Sequence, residues 1–168
     1  MFYKLGETAE EGHINTAEEN KDIAISLAQQ ARYSIDIFTQ DMDAEIYDNE
    51  EFSQSVFNLA KRHPNTRIRI LAQDTHIAAG KGHSLIKLAQ HLTSSIFIHT
   101  PSLEYKNEKS AFLLVDKIGL LHRTTASHRN YKASFNFMSP QGAEKLTEMF
   151  NEMWDHSTPD IQTRRLYI

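Results

Sequence analysis

The sequence predicts an α/β fold: a layered α/β/α sandwich around a mixed, mainly parallel sheet. Short β-prone runs alternate with amphipathic helical segments of roughly 10–15 residues, the pattern of parallel strands joined by crossover helices. The run 110–115 is almost continuously apolar, as expected for a strand buried on both faces. A turn at 116–119 and a return strand at 120–123 then form a hairpin, which adds antiparallel strands to the sheet.

The first helix has a clear start. Thr16 and Glu19 show the pattern of a capping box, in which each side chain satisfies a free backbone N–H group. Apolar residues recur at helical spacing after it, so a helix is predicted over 17–32. A β-prone run predicts a strand over 34–39, which is followed by an acidic loop at 41–45.

The remaining elements are predicted from the same two periodicities. Pro64 disfavours helical geometry in the residue before it and therefore ends the second helix. In order, these elements are a helix over 50–62, a strand over 67–72, a helix that begins near His83, a strand over 95–99 and a last helix over 140–156.

Length and composition indicate one domain over 1–168, with an N-terminal extension at 1–15 and a C-terminal tail at 157–168 whose apolar end is expected to dock. The 168 residues include no cysteine, which excludes disulfides, thiolate metal sites and cysteine nucleophiles. No run approaches the about 18 apolar residues of a membrane span, so no membrane contact is expected. The first residues show no secretory leader pattern, so the expected location is the cytoplasm.

The formal net charge of −4 is unevenly distributed along the chain. Residues 1–51 carry 3 Lys and Arg against 13 Asp and Glu, whereas residues 52–168 carry 15 against 9. One interpretation is that the charged faces of surface helices simply differ. The other is a positive surface on the later part of the fold, suited to phosphate or nucleic acid. The overall acidity argues against tight, non-specific binding of duplexes.

One loop has the features of an anion site. Lys81, Gly82, His83 and Ser84 follow a predicted strand and open a predicted helix, where free N–H groups and the helix dipole favour negative charge. The segment lacks the spacing of a Walker loop. The alternative is a structural one, in which His83 or Ser84 caps the helix.

A second candidate binding region is basic. His122 and Arg123 end the predicted hairpin, and Arg129 follows in a polar stretch, so these side chains are candidates for contact with a phosphate group.

Carboxylates and a histidine at the strand ends could hold a hard metal ion only if their loops converged. The residues are Asp41, Asp43, Asp74 and His76. Acidic residues are common in loops because they are solvated, so no metal is expected. The sequence also contains no dinucleotide-binding or nucleophile-elbow motif, and no cofactor is expected.

The last third of the chain resembles the phospholipase D-like superfamily. The stretch 111–116 is similar to its buried strand with a terminal Asp, 134–137 to its Ser-x-Asn turn and 150–154 to its closing helix. The whole chain resembles a bacterial family of stand-alone domains of this kind whose function is unknown. The resemblance implies a phospholipase D-like fold and, at most, phosphodiesterase chemistry.

The catalytic motif of that superfamily, His-x-Lys-x4-Asp, is incomplete here. With Asp116 in the Asp position, Lys109 stands where the family has its histidine and Ala111 where it has its lysine. None of the nine histidines is followed two residues later by lysine. The family's chemistry needs one imidazole to attack phosphorus and another to protonate the leaving oxygen. These positions therefore predict no catalytic residue.

The sequence thus predicts a catalytically degenerate, non-enzymatic binding module for a phosphate-bearing ligand, such as nucleic acid or a nucleotide, or for a protein partner. One alternative is a phosphodiesterase or nuclease with relocated histidines, for which His83, His122 and His128 are candidates. The other is a purely structural dimerisation domain. Because this superfamily often packs its domains about a two-fold axis, the resemblance also implies a homodimer.

Overall fold

The computed structural model describes residues 2–127 and 130–164. Its centre is one eight-stranded sheet with the strand order β1-β7-β6-β5-β2-β3-β4-β8. The strands are β1 (Gly12–Ile14), β2 (Ser34–Thr39), β3 (Arg67–Ala72), β4 (Ile96–Thr100), β5 (Ala111–Val115), β6 (Gly119–Arg123), β7 (Ala133–Asn136) and β8 (Thr158–Pro159).

Helices cover both faces of this sheet, which confirms the predicted sandwich. They are α1 (Ala17–Gln29), α2 (Ala44–Tyr47), α3 (Glu50–Arg62), α4 (His76–Gly80), α5 (Ser84–His91) and α6 (Pro140–Asp155). Within the described part of the chain, no helix has the length and apolar character needed to cross a membrane.

The sheet is mixed, as predicted, but the expectation that it is mainly parallel is wrong. Among the described residues, only the pairs β2–β3 and β3–β4 are parallel, and the other five pairs are antiparallel. The parallel pairs arise where α3 and α5 carry the chain back across the sheet. The antiparallel pairs are β2–β5, the two pairs of the run β5–β6–β7, and the pairs β1–β7 and β4–β8 that the chain ends form.

Both ends of the chain contribute to the sheet. Strand β1 lies within the predicted N-terminal extension and pairs with β7, and β8 lies within the predicted tail and pairs with β4. Residues 165–168 of the tail, whose docking the sequence predicts, lie outside the described residues.

Alternation along the strands divides the core into two layers. Ile35 and Ile37 of β2 point to the first face, where α1, α3 and α5 pack in one apolar cluster. Phe38 and its cross-strand partner Phe112 point to the second face, where they pack against Phe150 of α6. The position of a side chain along a strand therefore decides which face of the sheet it can serve.

Candidate functional site

A cleft of about 520 Å³ opens on the first face, where β2 and β6 end and β5 begins. This volume lies in the range of small-molecule sites. We call the cleft the ion-pair pocket. Its lining residues are Gln40, Asp41, Asp43, Ala44, Glu45, Lys109, Arg123, Ala126, Ser127 and Tyr131.

The pocket is built around an ion pair between β6 and the loop that follows β2. Arg123 Nη2 lies 2.7 Å from Asp43 Oδ2, and the two side chains are only 6% and 10% exposed. The Thr39 hydroxyl donates to the same Asp43 oxygen at 2.6 Å, and Arg123 Nη1 donates to the Asn130 carbonyl at 3.4 Å. Both buried charges are therefore paired and hydrogen-bonded, as burial of charge requires.

Tyr131 forms the wall of the pocket beside this pair. The Arg123 guanidinium carbon lies 5.5 Å from the centre of the Tyr131 ring, and the Tyr131 hydroxyl donates to Glu45 Oε2. Burial, together with the hydrogen bond and charge of Glu45, raises the pKa of Tyr131 to about 12. The phenol is therefore a hydrogen-bond donor at neutral pH. Asn20 Nδ2 holds this segment to α1 by donating to the Tyr131 carbonyl at 2.8 Å.

Lys109 lines the pocket as an exposed side chain just before β5. The Gln40 amide donates to the carbonyls of Glu108 and Ser110, at 3.0 and 2.7 Å. These two bonds fix the start of β5 against the end of β2. Lys109 is thereby placed on the same cleft as the ion pair.

The register of the β5–β6 hairpin places Ala111 directly opposite Arg123. Residues opposite each other in an antiparallel pair point to the same face, with Cβ atoms about 4.5–5.5 Å apart. The small side chain of Ala111 thus lies beside the base of the Arg123 side chain. In this hairpin the cation comes from β6 rather than from position 111 of β5.

Asp116 does not join this group. It follows β5 at the opposite end of the strand from Lys109. Its carboxylate accepts hydrogen bonds from the backbone N–H groups of Arg32, Tyr33 and Ser34 at 2.7–3.1 Å. The structure therefore gives Asp116 a role in holding the entry of β2 and places it outside the ion-pair pocket.

His83 is 1% exposed, and its two ring nitrogens have internal partners. The Leu85 N–H donates to Nδ1 and Nε2 lies 3.1 Å from the Met42 carbonyl, which assigns the hydrogen to Nε2. Burial lowers the pKa of His83, so the ring is neutral at pH 7. His83 is the N-cap of α5, which agrees with the capping alternative. Its contact with the Met42 carbonyl also holds the loop after β2.

The other residues of the predicted anion loop do not line the ion-pair pocket. Lys81 is exposed at the C-terminal cap of α4, and Gly82 has a φ of +70°, a conformation that glycine adopts readily. The backbone N–H of Ser84 donates to Asp48 at 3.0 Å. The predicted anion at this helix start is thus replaced by a carboxylate of the chain itself.

The predicted basic region separates into two faces. Alternation along β6 directs Arg123 to the first face and His122 to the second, where its ring contacts Phe112 edge-on at a centroid distance of 6.1 Å. Burial lowers the pKa of His122. Arg129 and His128 lie outside the described residues. Of the predicted binding residues that the structure describes, Arg123 is the one that lines the ion-pair pocket.

The acidic strand-end residues do not form a metal centre in the described ranges, which contain no group of three or more His, Asp or Glu placed to hold a metal ion. Asp43 is committed to Arg123, and Asp74 accepts from the His76 N–H at 2.9 Å.

Sequence reasoning missed Glu45 and Tyr131 as parts of the pocket. They are 86 residues apart and meet only in the folded chain.

The family model described as "Domain of unknown function (DUF7931)" matches residues 16–166. No curated protein matches the chain.

Several solved structures share the fold. Nuc from Salmonella typhimurium, described as a phospholipase D family member, aligns with a TM-score of 0.61 and 14% identity over 90% of this chain and 99% of its own. NucT from Helicobacter pylori aligns with a TM-score of 0.66 and 12% identity over the same fractions. The fold is therefore phospholipase D-like.

TrmBL2, an archaeal chromatin protein whose structure is described as showing a novel mode of DNA binding, also aligns, with a TM-score of 0.66 and 12% identity. The match covers 92% of this chain and 55% of TrmBL2, so this chain spans about half of that protein.

Proposed function

The chain belongs to the DUF7931 family, and from that premise we propose that it is a non-enzymatic binding module for a phosphate-bearing ligand, which it binds in the ion-pair pocket. The phospholipase D-like fold provides the scaffold. Nucleic acid is the ligand class that we favour, and the description of TrmBL2 as binding DNA on a similar fold supports that choice.

The single observation that carries this proposal is the placement of Arg123. It lies across the hairpin from Ala111 and on the same cleft as Lys109. In the resembled superfamily the position of Ala111 holds the lysine, and that of Lys109 the histidine, that contact phosphate. Here a guanidinium from β6 and an ammonium from the start of β5 can supply two cationic donors to a phosphate group.

The pocket favours binding over turnover. The usual chemistry requires an imidazole nucleophile, and none of the described lining residues is a histidine. His83, one of the candidate catalytic histidines, has internal partners at both ring nitrogens. Lys109 carries a primary amine on an exposed side chain, so it does not supply the missing imidazole.

Asp43 decides how a ligand can reach Arg123. The described lining has three carboxylates, those of Asp41, Asp43 and Glu45, against the two cations. A backbone phosphodiester equals one carboxylate in charge and in number of acceptor oxygens, and a terminal phosphate monoester, with up to about two negative charges and three acceptor oxygens, exceeds it. We therefore propose that the ligand's phosphate replaces Asp43 on the Arg123 guanidinium, with Lys109 as its second cation.

A homodimer is part of the same proposal, as is the alternative that the module binds a protein partner. Sedimentation equilibrium across a wide concentration range tests the dimer. A mass equal to one chain at every concentration would contradict it.

Fluorescence-anisotropy titration with a labelled single-stranded oligonucleotide tests the pocket. Lys109→Gln should weaken binding about tenfold, the value of one charge-assisted contact. Lys117→Gln is the matched control, because Lys117 is an exposed lysine beyond the opposite end of β5. Equal effects of the two substitutions would show a diffuse charge effect and contradict the proposed site.

A further inference from the structure

A row of three polar side chains crosses the second face of the sheet at its β1 end. The register pairs His13 of β1 with Ser134 of β7, and Ser134 with His122 of β6. We call these residues the histidine row. Adjacent strands lie about 4.8 Å apart, so the two histidines flank the serine with their Cα atoms about 10 Å from each other.

The row forms the floor of a groove of about 300 Å³. Alternation places further polar side chains on the same face, since they stand two positions from a member of the row. Elsewhere on this face Phe112 and Leu120 pack under α6. The polar side chains that line the groove besides the row are Glu11, Asn15, Thr124 and Lys132.

The charges of this groove differ from those of the ion-pair pocket. Lys132 is exposed and cationic, and each imidazole adds a positive charge when it is protonated. The carboxylates that act on the row are Glu11, whose Oε2 lies 4.0 Å from His13 Nε2, and Glu108, which acts on His122. With both histidines protonated, the cations of the groove outnumber these carboxylates.

We propose that the histidine row is a second phosphate-binding site, in which His13 and His122 grip one phosphate group over the Ser134 hydroxyl and Lys132 adds a third cation. The shared chemistry is a phosphate group, supplied either by a small phosphate compound or by the backbone of a nucleic acid. Imidazolium and hydroxyl groups are all hydrogen-bond donors to phosphate oxygens. The proposed function does not assign this groove.

Protonation controls this site. Burial lowers the pKa of His122, so the free site lacks one of its cations at neutral pH. A bound phosphate group favours the charged ring, so binding takes up a proton and strengthens as the pH falls.

The row and the ion-pair pocket are on opposite faces of the sheet. His122 and Arg123 are neighbours in β6, but their side chains point away from each other. A defect in one site therefore leaves the other intact, and the two proposals can fail separately.

The test is a titration with inorganic phosphate, observed through the imidazole resonances of the ¹⁵N-labelled full chain near pH 6. The signals of His13 and His122 should shift together along one binding curve. Either His13→Asn or His122→Asn should raise the dissociation constant for phosphate about tenfold, the value of one charge-assisted hydrogen bond. Raising the pH to about 8 should weaken binding of phosphate to the wild-type protein, because the His122 imidazole, whose pKa is lowered by burial, is then neutral.

The matched control is His91→Asn, which removes an exposed imidazole from the end of α5 and should leave the curve unchanged. If His122→Asn fails to fold, the proposal is still tested by the wild-type titration and by Ser134→Ala, which removes the hydroxyl between the two histidines. The affinity of a six-nucleotide single strand is then compared with that of inorganic phosphate. The probe that binds more tightly identifies the source of the phosphate group. The proposal would be overturned if phosphate did not shift the resonances of His13 and His122, or if the variants bound phosphate like the wild type.

Discussion

Arg123 of β6 and Asp43 of the loop after β2 form a nearly buried ion pair, with Nη2 and Oδ2 2.7 Å apart. The pair joins two segments 80 residues apart in the chain and closes the floor of the ion-pair pocket. Its anionic half occupies the position at which a ligand's phosphate would contact the guanidinium. The same contact therefore affects both stability and ligand binding.

Removing the charge of Asp43 should strengthen phosphate binding. Asp43→Asn keeps a carbonyl acceptor for the Thr39 hydroxyl but no longer competes as an anion for Arg123. We expect about tenfold tighter binding of a labelled oligonucleotide, measured by anisotropy. Asp41→Asn removes a carboxylate of the same pocket that is not paired with Arg123, and it should change affinity by no more than about twofold. Equal gains from both substitutions would indicate general electrostatics instead.

The ion pair should also show strong coupling in stability. Arg123→Gln leaves Asp43 buried without its cation, and loss of one partner of a buried pair costs about 3–5 kcal/mol. The double variant Arg123→Gln with Asp43→Asn should recover most of that loss, because neither charge remains. Urea denaturation of the wild type, the two single variants and the double variant gives the double-mutant cycle. Additive losses would mean that the pair is not coupled in the folded chain.

The buried neutral state of His83 makes stability depend on pH. Its folded pKa is lowered by burial, so the unfolded chain binds a proton that the folded chain does not when the pH falls below about 6.5. Stability from this group is complete above that pH and is lost as the pH falls toward the folded pKa.

His83→Asn isolates this contribution. Asparagine can still accept from the Leu85 N–H but loses the bond to the Met42 carbonyl, at a cost of about 1–2 kcal/mol at pH 7.5. The difference from wild type in free energy of unfolding should shrink as the pH is lowered to about 5. His99 and His122, whose pKa values are also lowered by burial, titrate in both proteins and cancel. A difference that grows toward acid would contradict this assignment.

Asp116 should be a structural residue. Asp116→Asn keeps the positive φ of 55°, which asparagine tolerates, but weakens the bonds from three backbone N–H groups. The free energy of unfolding should fall by about 1–3 kcal/mol. Oligonucleotide affinity should stay at the wild-type value at a temperature where the variant is folded. A loss of affinity under those conditions would show that Asp116 takes part in ligand binding.

Much of the scaffold follows from local patterns. The bounds of β2, α3 and β3 agree with the predicted 34–39, 50–62 and 67–72. Each has a strong periodicity and an end signal, such as Pro64 after α3. The short helices α2 and α4, of 4 and 5 residues, lie in segments that the sequence assigned to loops. Helices of about one turn contain too few residues for a periodicity to appear.

The missed strand β7 had a signal. Ala133 and Phe135 are buried and alternate with Ser134 and Asn136, the period of a strand, but the interpretation of 134–137 as a turn took precedence.

The candidate site was predictable only in part. Arg123 is a predicted phosphate contact, whereas Lys109 is predicted only as a position where the superfamily's histidine is missing. The turn at 116–119 sets a register that pairs Ala111 with Arg123. The contact of Arg123 with Asp43 depends on the order of β6, β5 and β2 in the sheet, which local patterns do not specify. The division of His122 and Arg123 between opposite faces follows from alternation once 119–123 is a strand.

The most direct test of the central claim is a titration of labelled single-stranded RNA and DNA at two salt concentrations, with the same samples then run on a denaturing gel. Binding that weakens at the higher salt and leaves the oligonucleotides intact is the predicted result, because cationic side chains release counterions from phosphates without attacking them. Cleavage of the oligonucleotides that disappears when Lys109 and Arg123 are replaced by Gln would contradict the claim that this pocket binds phosphate without catalysis. No binding at either salt would contradict the claim that it binds phosphate-bearing nucleic acid.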